Sequence, residues 1–264
     1  MAQSLQGTTV LVTGAAGGLG KAIAKGYLDA GANVAICDIS DERLKQTSDE
    51  FEGTGRFLGV KTDVTDEVAV NELVGAVVAK FGRVDVLVNN AGIADVFDPI
   101  GTLSKEIWDR VLSINLTGSF LPARAAVNAM ERQSPPGGVI IQIGSTASSR
   151  GLEAGVAYTV SKHGVAALVK NTAGFYGPKG IYAIGLMLGP MIDTNILEGM
   201  KALGEFNREA YSLTVAASLK PEQIGEVAVK LDDVAKYCVF LSDRSIAASA
   251  NGSCITFNKN SPRA

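Results

Sequence analysis

The chain has 264 residues, 47% of them hydrophobic, and a formal net charge of −3 from 24 basic and 27 acidic side chains. That balance suits a well-filled core, expected as one domain over 1–264, and it lacks the basic footprint of a nucleic-acid binder. The apolar run in "MAQSLQGTTVLVTG" breaks at Gly14, too soon for a signal peptide or a membrane span. Cys37, Cys238 and Cys254 are too scattered for a disulfide framework or a zinc site, so buried free thiols, no metal and a reducing, cytosolic setting are expected.

Along the chain, short apolar runs alternate with amphipathic stretches. Strands are expected at 8–14, 33–38, 55–63, 84–90, 138–145, 181–188 and 253–258, and helices at 17–31, 41–52, 66–82, 104–130 and 155–177, where apolar residues recur at helical spacing. Strands apolar on both faces with helices between them imply an α/β fold: a Rossmann-type, doubly wound, mostly parallel seven-stranded sheet covered on both sides. Right-handed crossovers then put every strand C-terminus on one edge, where ligands bind. "SPPGG" (134–138) marks a tight connection into the fifth strand. Residues 189–230 form a long insertion at the ligand edge and read as a substrate lid.

The first strand ends in "TGAAGGLG" (13–20), with Gly14, Gly18 and Gly20 ahead of a helix that begins near Leu19. Glycines there allow positive φ and close approach to a pyrophosphate, while the helix N-terminus offers free N–H groups. Tyr158 and Lys162 in "YTVSK" are four apart and share a helix face. An ammonium near a phenol favours phenolate, which brings a group with an ordinary pKa near 10 towards working acid/base chemistry. His163, the one histidine, points about 100° away from Lys162 and reads as a packing or surface residue.

These motifs stand in order with "TDV" (62–64), "NNAG" (89–92), Asn115 in "SINLTGSF", "IGS" ending at Ser145, and "LDDVAKYCVFLSD" (231–243). Taken together, the chain resembles the short-chain dehydrogenase/reductases over nearly its whole length. The resemblance implies catalytic Asn115, Ser145, Tyr158 and Lys162, with Ser145 holding the substrate oxygen. Tyr158 would move the hydroxyl proton, Lys162 would hold the nicotinamide ribose, and Asn115 would help bind a water that leads to solvent. It also implies a cofactor site of Gly14, Gly18, Leu19, Gly20, Asp38, Asp63, Val64, Asn90, Ala91, Gly92, Tyr158 and Lys162, with Asp63 and Val64 against the adenine and Thr194 at the carboxamide.

Asp38 closes the second strand, where a carboxylate accepts from ribose hydroxyls and repels a 2′-phosphate; neither 15–17 nor 39–40 supplies a cation. NAD is therefore expected, with NADP the lesser alternative. Around 184–188 and 258–260 the sequence departs from the family's usual N…PG and DGG, with Ile184 or Gly185, Leu188 and "NKN" in those places. Met187, Met191, Leu197, Met200, Leu203, Phe206 and Tyr211 suggest a neutral or apolar alcohol or ketone as substrate. Partners are expected to be that small molecule and copies of the chain itself, as dimer or tetramer through 104–130 and 155–177 by resemblance, with no nucleic acid and no membrane. A catalytically silent nucleotide binder, or an epimerase or dehydratase on the same residues, stays open beside the oxidoreductase.

Overall fold

The computed structural model describes residues 4–192, 194, 196–214, 217 and 225–261. Seven parallel strands form one sheet: β1 (Thr9–Thr13), β2 (Asn33–Asp38), β3 (Phe57–Lys61), β4 (Val86–Asn89), β5 (Gly138–Ser145), β6 (Ile181–Leu188) and β7 (Cys254–Phe257). Their spatial order is β3-β2-β1-β4-β5-β6-β7. The chain runs outward from β1 to β3 and then returns to place β4 on the other side of β1. The crevice between β1 and β4 is the topological switch point, where open α/β sheets bind their ligands.

Side-chain alternation explains why both faces are apolar. On β1, Val10 and Val12 join one core with Ile23, Tyr27, Ile36, Val88 and Val234, while Leu11 turns to the other with Ala35, Leu87, Ile140 and Val169. The first face is covered by α1 (Gly18–Asp29), α2 (Asp41–Phe51), α9 (Leu231–Leu241) and α10 (Arg244–Ser249). The second is covered by α3 (Glu67–Phe81), α5 (Gly118–Arg132) and α6 (Val156–Tyr176). Tyr27 ties α1 to α9 from a fully buried position: its hydroxyl donates to the Cys238 carbonyl at 3.0 Å and lies 2.7 Å from Ser242 Oγ.

The structure changes three expectations. The single helix over 104–130 is α4 (Lys105–Leu112), a π-turn (Ser113–Thr117) and α5. The widened turn exists because Ser119 Oγ takes the Asn115 carbonyl at 2.7 Å while the Asn115 amide is engaged elsewhere, and such π-turns often mark functional positions. Cys37 and Cys238 are buried, but Cys254 is half-exposed because β7 is the edge strand. Met187 belongs to β6 and the core rather than to a lid, its sulfur lying where any side chain on Gly144 would stand. His163, expected as a packing or surface residue, is at the surface, its Nδ1 2.9 Å from the Thr159 carbonyl.

Within the expected lid, α7 (Ile196–Lys201) and α8 (Arg208–Ser212) are formed, whereas the Leu197 side chain and residues 215–216 and 218–224 lie outside the described residues. Among the described residues no helix is long and apolar enough to cross a membrane, and no group of three acidic, histidine or cysteine side chains could hold a metal ion.

Candidate active site

The loop between β1 and α1 has the shape of an anion cradle. Gly14 and Gly18 have φ of 61° and 49°, a left-handed region that costs glycine little. A Cβ on Gly20 would fall 2.4 Å from the Gly14 carbonyl and 2.6 Å from Asn90 Nδ2, so only glycine lets α1 pack this closely on the loop. Side chains cap α2, α3 and α4 through Ser40, Asp66 and Ser104, but α1 begins at Gly17 with no side-chain cap. Its first N–H groups and the positive dipole end therefore face the crevice, beside buried Leu19.

Asn90 fastens the loop from β4. Its Nδ2 donates to the carbonyls of Thr13 at 3.0 Å and Gly14 at 2.9 Å, and the N–H groups of Asn90 and Ala91 donate to Thr13 Oγ1, both at 3.1 Å. Gly92 is next, where a Cβ would meet Asn115 Oδ1 at 3.2 Å and approach Lys162 Nζ at 3.7 Å. The residues fit a dinucleotide: a cradle that added side chains would fill, an uncapped helix end, and a carboxylate one strand away.

That carboxylate, Asp38, stands at the C-terminal end of β2, where Oδ2 accepts from the Ala16 N–H at 3.1 Å and Oδ1 from the Ser40 N–H at 3.0 Å. A cation unforeseen from the sequence lies beside it. Arg43 places its guanidinium 3.9 Å from Asp38 Oδ1 and donates to Glu198 of α7 at 3.0 Å, while its Nε is buried without a partner. Its position five residues after Asp38, one turn into α2, was the available signal. Asp63 is turned into its own loop, accepting from the N–H and hydroxyl of Thr65 at 2.9 and 2.7 Å. Val64 is buried, its Cγ2 where a side chain on Gly118 would stand. Thr194 is half-buried between two undescribed residues.

Towards the β5 end, Ser145, Tyr158 and Lys162 come together. Ser145 closes β5 with its hydroxyl oxygen accepting from the Ala147 N–H at 3.2 Å, and its side chain lies near enough to the Tyr158 phenol to favour phenolate. Lys162 is buried, donates to the Ile143 carbonyl at 3.0 Å, and holds Nζ 5.5 Å from the centre of the Tyr158 ring. Burial pushes the phenol up to about 12; the nearby Ser145 hydroxyl opposes this and the Asp95 carboxylate adds to it. Burial also pushes Lys162 down to about 8. Desolvation therefore leaves the phenol above its ordinary value rather than below it, and Lys162, itself made easier to deprotonate by burial, is not among the groups that shift it.

Asn115 is buried and wholly engaged: Oδ1 accepts from the Ile93 N–H at 2.8 Å, and Nδ2 donates to the Ile93 carbonyl at 2.9 Å and to Ser161 Oγ at 3.0 Å. It clamps the loop that leaves β4 against the helix carrying Tyr158. Asp95, on that same loop and absent from the sequence reading, is fully buried with its carboxylate against the start of α6. Its Oδ1 also accepts from the Phe97 N–H at 3.1 Å, an ordinary local turn contact, and the partners on α6 that set it apart are 60 and 63 residues away.

The parallel sheet with its switch-point crevice and glycine loop defines an α/β protein of the dinucleotide-binding class. The short chain dehydrogenase family model matches residues 8–202, and the chain belongs to the short-chain dehydrogenase/reductase family. It is 42% identical over 256 residues to the short chain dehydrogenase/reductase dpchG of Colletotrichum higginsianum, covering 95% of this chain and 92% of that one. It is 37% identical over 235 residues to 3beta-hydroxysteroid dehydrogenase 2 of Eggerthella lenta, covering 86% and 88%. Among solved structures, a variant actinorhodin polyketide ketoreductase with NADPH superposes with a TM-score of 0.83 at 27% identity, covering 100% of both chains.

Proposed function

We propose that the protein is an NAD(H)-dependent oxidoreductase that interconverts a secondary alcohol and a ketone, with Tyr158 as general acid/base. The observation that carries this is the meeting of Ser145, Tyr158 and Lys162 at the C-terminal end of β5, beside the switch-point crevice. A bound nicotinamide supplies the hydride acceptor or donor. Ser145 holds the substrate oxygen with its hydroxyl, which both donates and accepts. Tyr158 transfers the proton at that oxygen, giving it to the ketone oxygen in reduction and, as phenolate, taking it from the alcohol in oxidation. Lys162, near 8, exchanges protons close to neutrality, its Nζ 5.5 Å from the Tyr158 ring centre and close to Gly92. Thr194 is assigned the carboxamide contact.

NAD is preferred because Asp38 places a negative charge where a 2′-phosphate would lie. Arg43, 3.9 Å from that carboxylate, favours the second reading, NADP, and the dissociation constants of NADH and NADPH decide between them. A neutral carbocyclic ketone or alcohol of moderate size fits the aromatic and apolar lid residues and the steroid dehydrogenase relative. A single domain, a cytosolic setting and a dimer or tetramer complete the proposal; exposed Phe120, Val160 and Phe175 on α5 and α6 support self-association, which light scattering on the purified chain measures.

The test of function is absorbance at the reduced nicotinamide band against a panel of cyclic ketones and secondary alcohols. Tyr158→Phe is expected to lose about 10²–10⁴-fold in turnover while still binding NADH. Normal turnover in that variant sinks the assignment, and cofactor binding without any net redox change favours a silent binder or an epimerase.

A further inference from the structure

The catalytic helix lacks a cap of its own. α6 starts after Gly155, which offers no side chain to the first-turn N–H groups, although a 21-residue helix gains from a negative group at that end. Asp95, 60 residues upstream and fully buried, fills the place. Its Oδ1 accepts from the Gly155 N–H at 3.1 Å, and its Oδ2 from the N–H of Tyr158 itself at 2.8 Å. The neighbouring Asp98 carbonyl accepts from the Val156 N–H at 3.0 Å. Residue 155 is glycine because a Cβ there would lie 2.6 Å from both carboxylate oxygens.

We infer that Asp95 is a positioning residue for Tyr158: its carboxylate replaces the missing cap of α6 and so fixes where the reactive phenol stands. The inference rests on the reading of Tyr158 as the proton-transferring group. The loop that carries Asp95 is held at both ends. Asn115 grips Ile93 through both of its amide atoms, and Phe97, at a left-handed φ of 69°, turns its ring into contact with Phe206 and Tyr211 at 5.3 and 5.0 Å. A non-glycine residue is strained in that region and persists only where its surroundings over-determine it. The lid adds two bonds, from the Asn207 N–H to the Val96 carbonyl at 3.0 Å and from Asn207 Nδ2 to Asp98 Oδ1 at 2.7 Å. Lid and phenol are thus fastened to one short loop.

Among the described residues, the charged and titratable groups around Asp95 are Asp98 on its own loop, Tyr158 on α6 with Lys162 beyond its ring, and Tyr211, which reaches the loop from α8 through Phe97. The buried carboxylate opposes ionisation of the phenol, and this effect separates a positioning role from a merely stabilising one.

The test is nuclear magnetic resonance of protein carrying carbon-13 at the tyrosine ring carbon that bears oxygen, with Tyr158→Phe identifying the Tyr158 resonance. Asp95→Asn keeps the side chain's shape and one acceptor but removes the charge. It is expected to raise the phenolate fraction of Tyr158 at a given alkaline pH about tenfold, equivalent to a shift of about one pH unit, while NADH binding reports an intact fold. Gly155→Ala keeps the charge and displaces the carboxylate, and it is expected to move the Tyr158 resonance already at neutral pH. A Tyr158 resonance that follows the wild-type course in Asp95→Asn, or keeps its wild-type position in Gly155→Ala, overturns the inference. Neither measurement needs a substrate, so the result is independent of whether any alcohol or ketone in the panel is turned over.

Discussion

Tyr158 and Lys162 stand one helical turn apart, yet burial moves their ionisation in opposite directions, the phenol up to about 12 and the ammonium down to about 8. The spacing of the pair is written in the sequence; the direction of the shifts is not, because desolvation depends on what α6 packs against. Asp38 shows the same division. Its place at the end of β2 was legible, but the Arg43 guanidinium 3.9 Å away depends on how α2 folds back over the strand. If Asp38 sets cofactor choice by repulsion, Asp38→Ala should raise the preference for NADPH over NADH about tenfold or more, with Arg43 then free to face a phosphate. An unchanged ratio of the two dissociation constants contradicts that role.

At the scale of elements, the phosphate loop depends on close packing between α1, the end of β1 and the start of the loop after β4. Gly20→Ala puts a methyl 2.4 Å from the Gly14 carbonyl, where backbone and not a flexible side chain must give way. An overpacked site of this kind costs about 1–3 kcal/mol. The expected outcome is a rise of about tenfold or more in the dissociation constant for NADH, with a smaller loss of thermal stability, measured by fluorescence titration and melting. The π-turn at Ser113–Thr117 is the element that periodicity missed. Apolar residues run on at helical spacing through 104–130, so one helix was expected; the break comes from hydrogen bonds of Asn115 and Ser119, which a hydrophobic pattern does not register.

For the molecule as a whole, buried thiols and the phenol link folding to alkaline pH. Cys37 and Cys238 move from 9.0 to about 12 when folded, and Tyr158 from 10.0 to about 12. Between those values the folded state binds more protons than the unfolded one, so stability is fully present below 9.0 and falls as pH climbs towards 12. Lys162 works the other way: lowered from 10.5 to about 8, it is a cost at neutral pH that is relieved as the pH rises to 10.5. Urea unfolding across this range should show stability declining most steeply above 10.5, where only the falling contributions remain. Cys238→Ala should flatten the slope; an identical slope in that variant contradicts the linkage.

The alternation of β and α segments, the glycine loop, Asp38 at a strand end and the Tyr158–Lys162 spacing were all readable because each is a local property: the period of apolar residues, the φ freedom of glycine, the geometry of one helical turn. With the right-handed crossover rule, those local facts were enough to expect a mostly parallel sheet with ligands at its C-terminal edge, but not the order of its strands. Tertiary structure alone decided that Met187 packs in the core, that Asn115 sits in a π-turn gripping Ile93, that Arg43 shares the Asp38 corner, and that Asp95 meets the backbone of Tyr158 across 63 residues of chain. These depend on which segments the sheet brings together and on how completely water is excluded there, and neither quantity is encoded in the neighbourhood of any one residue.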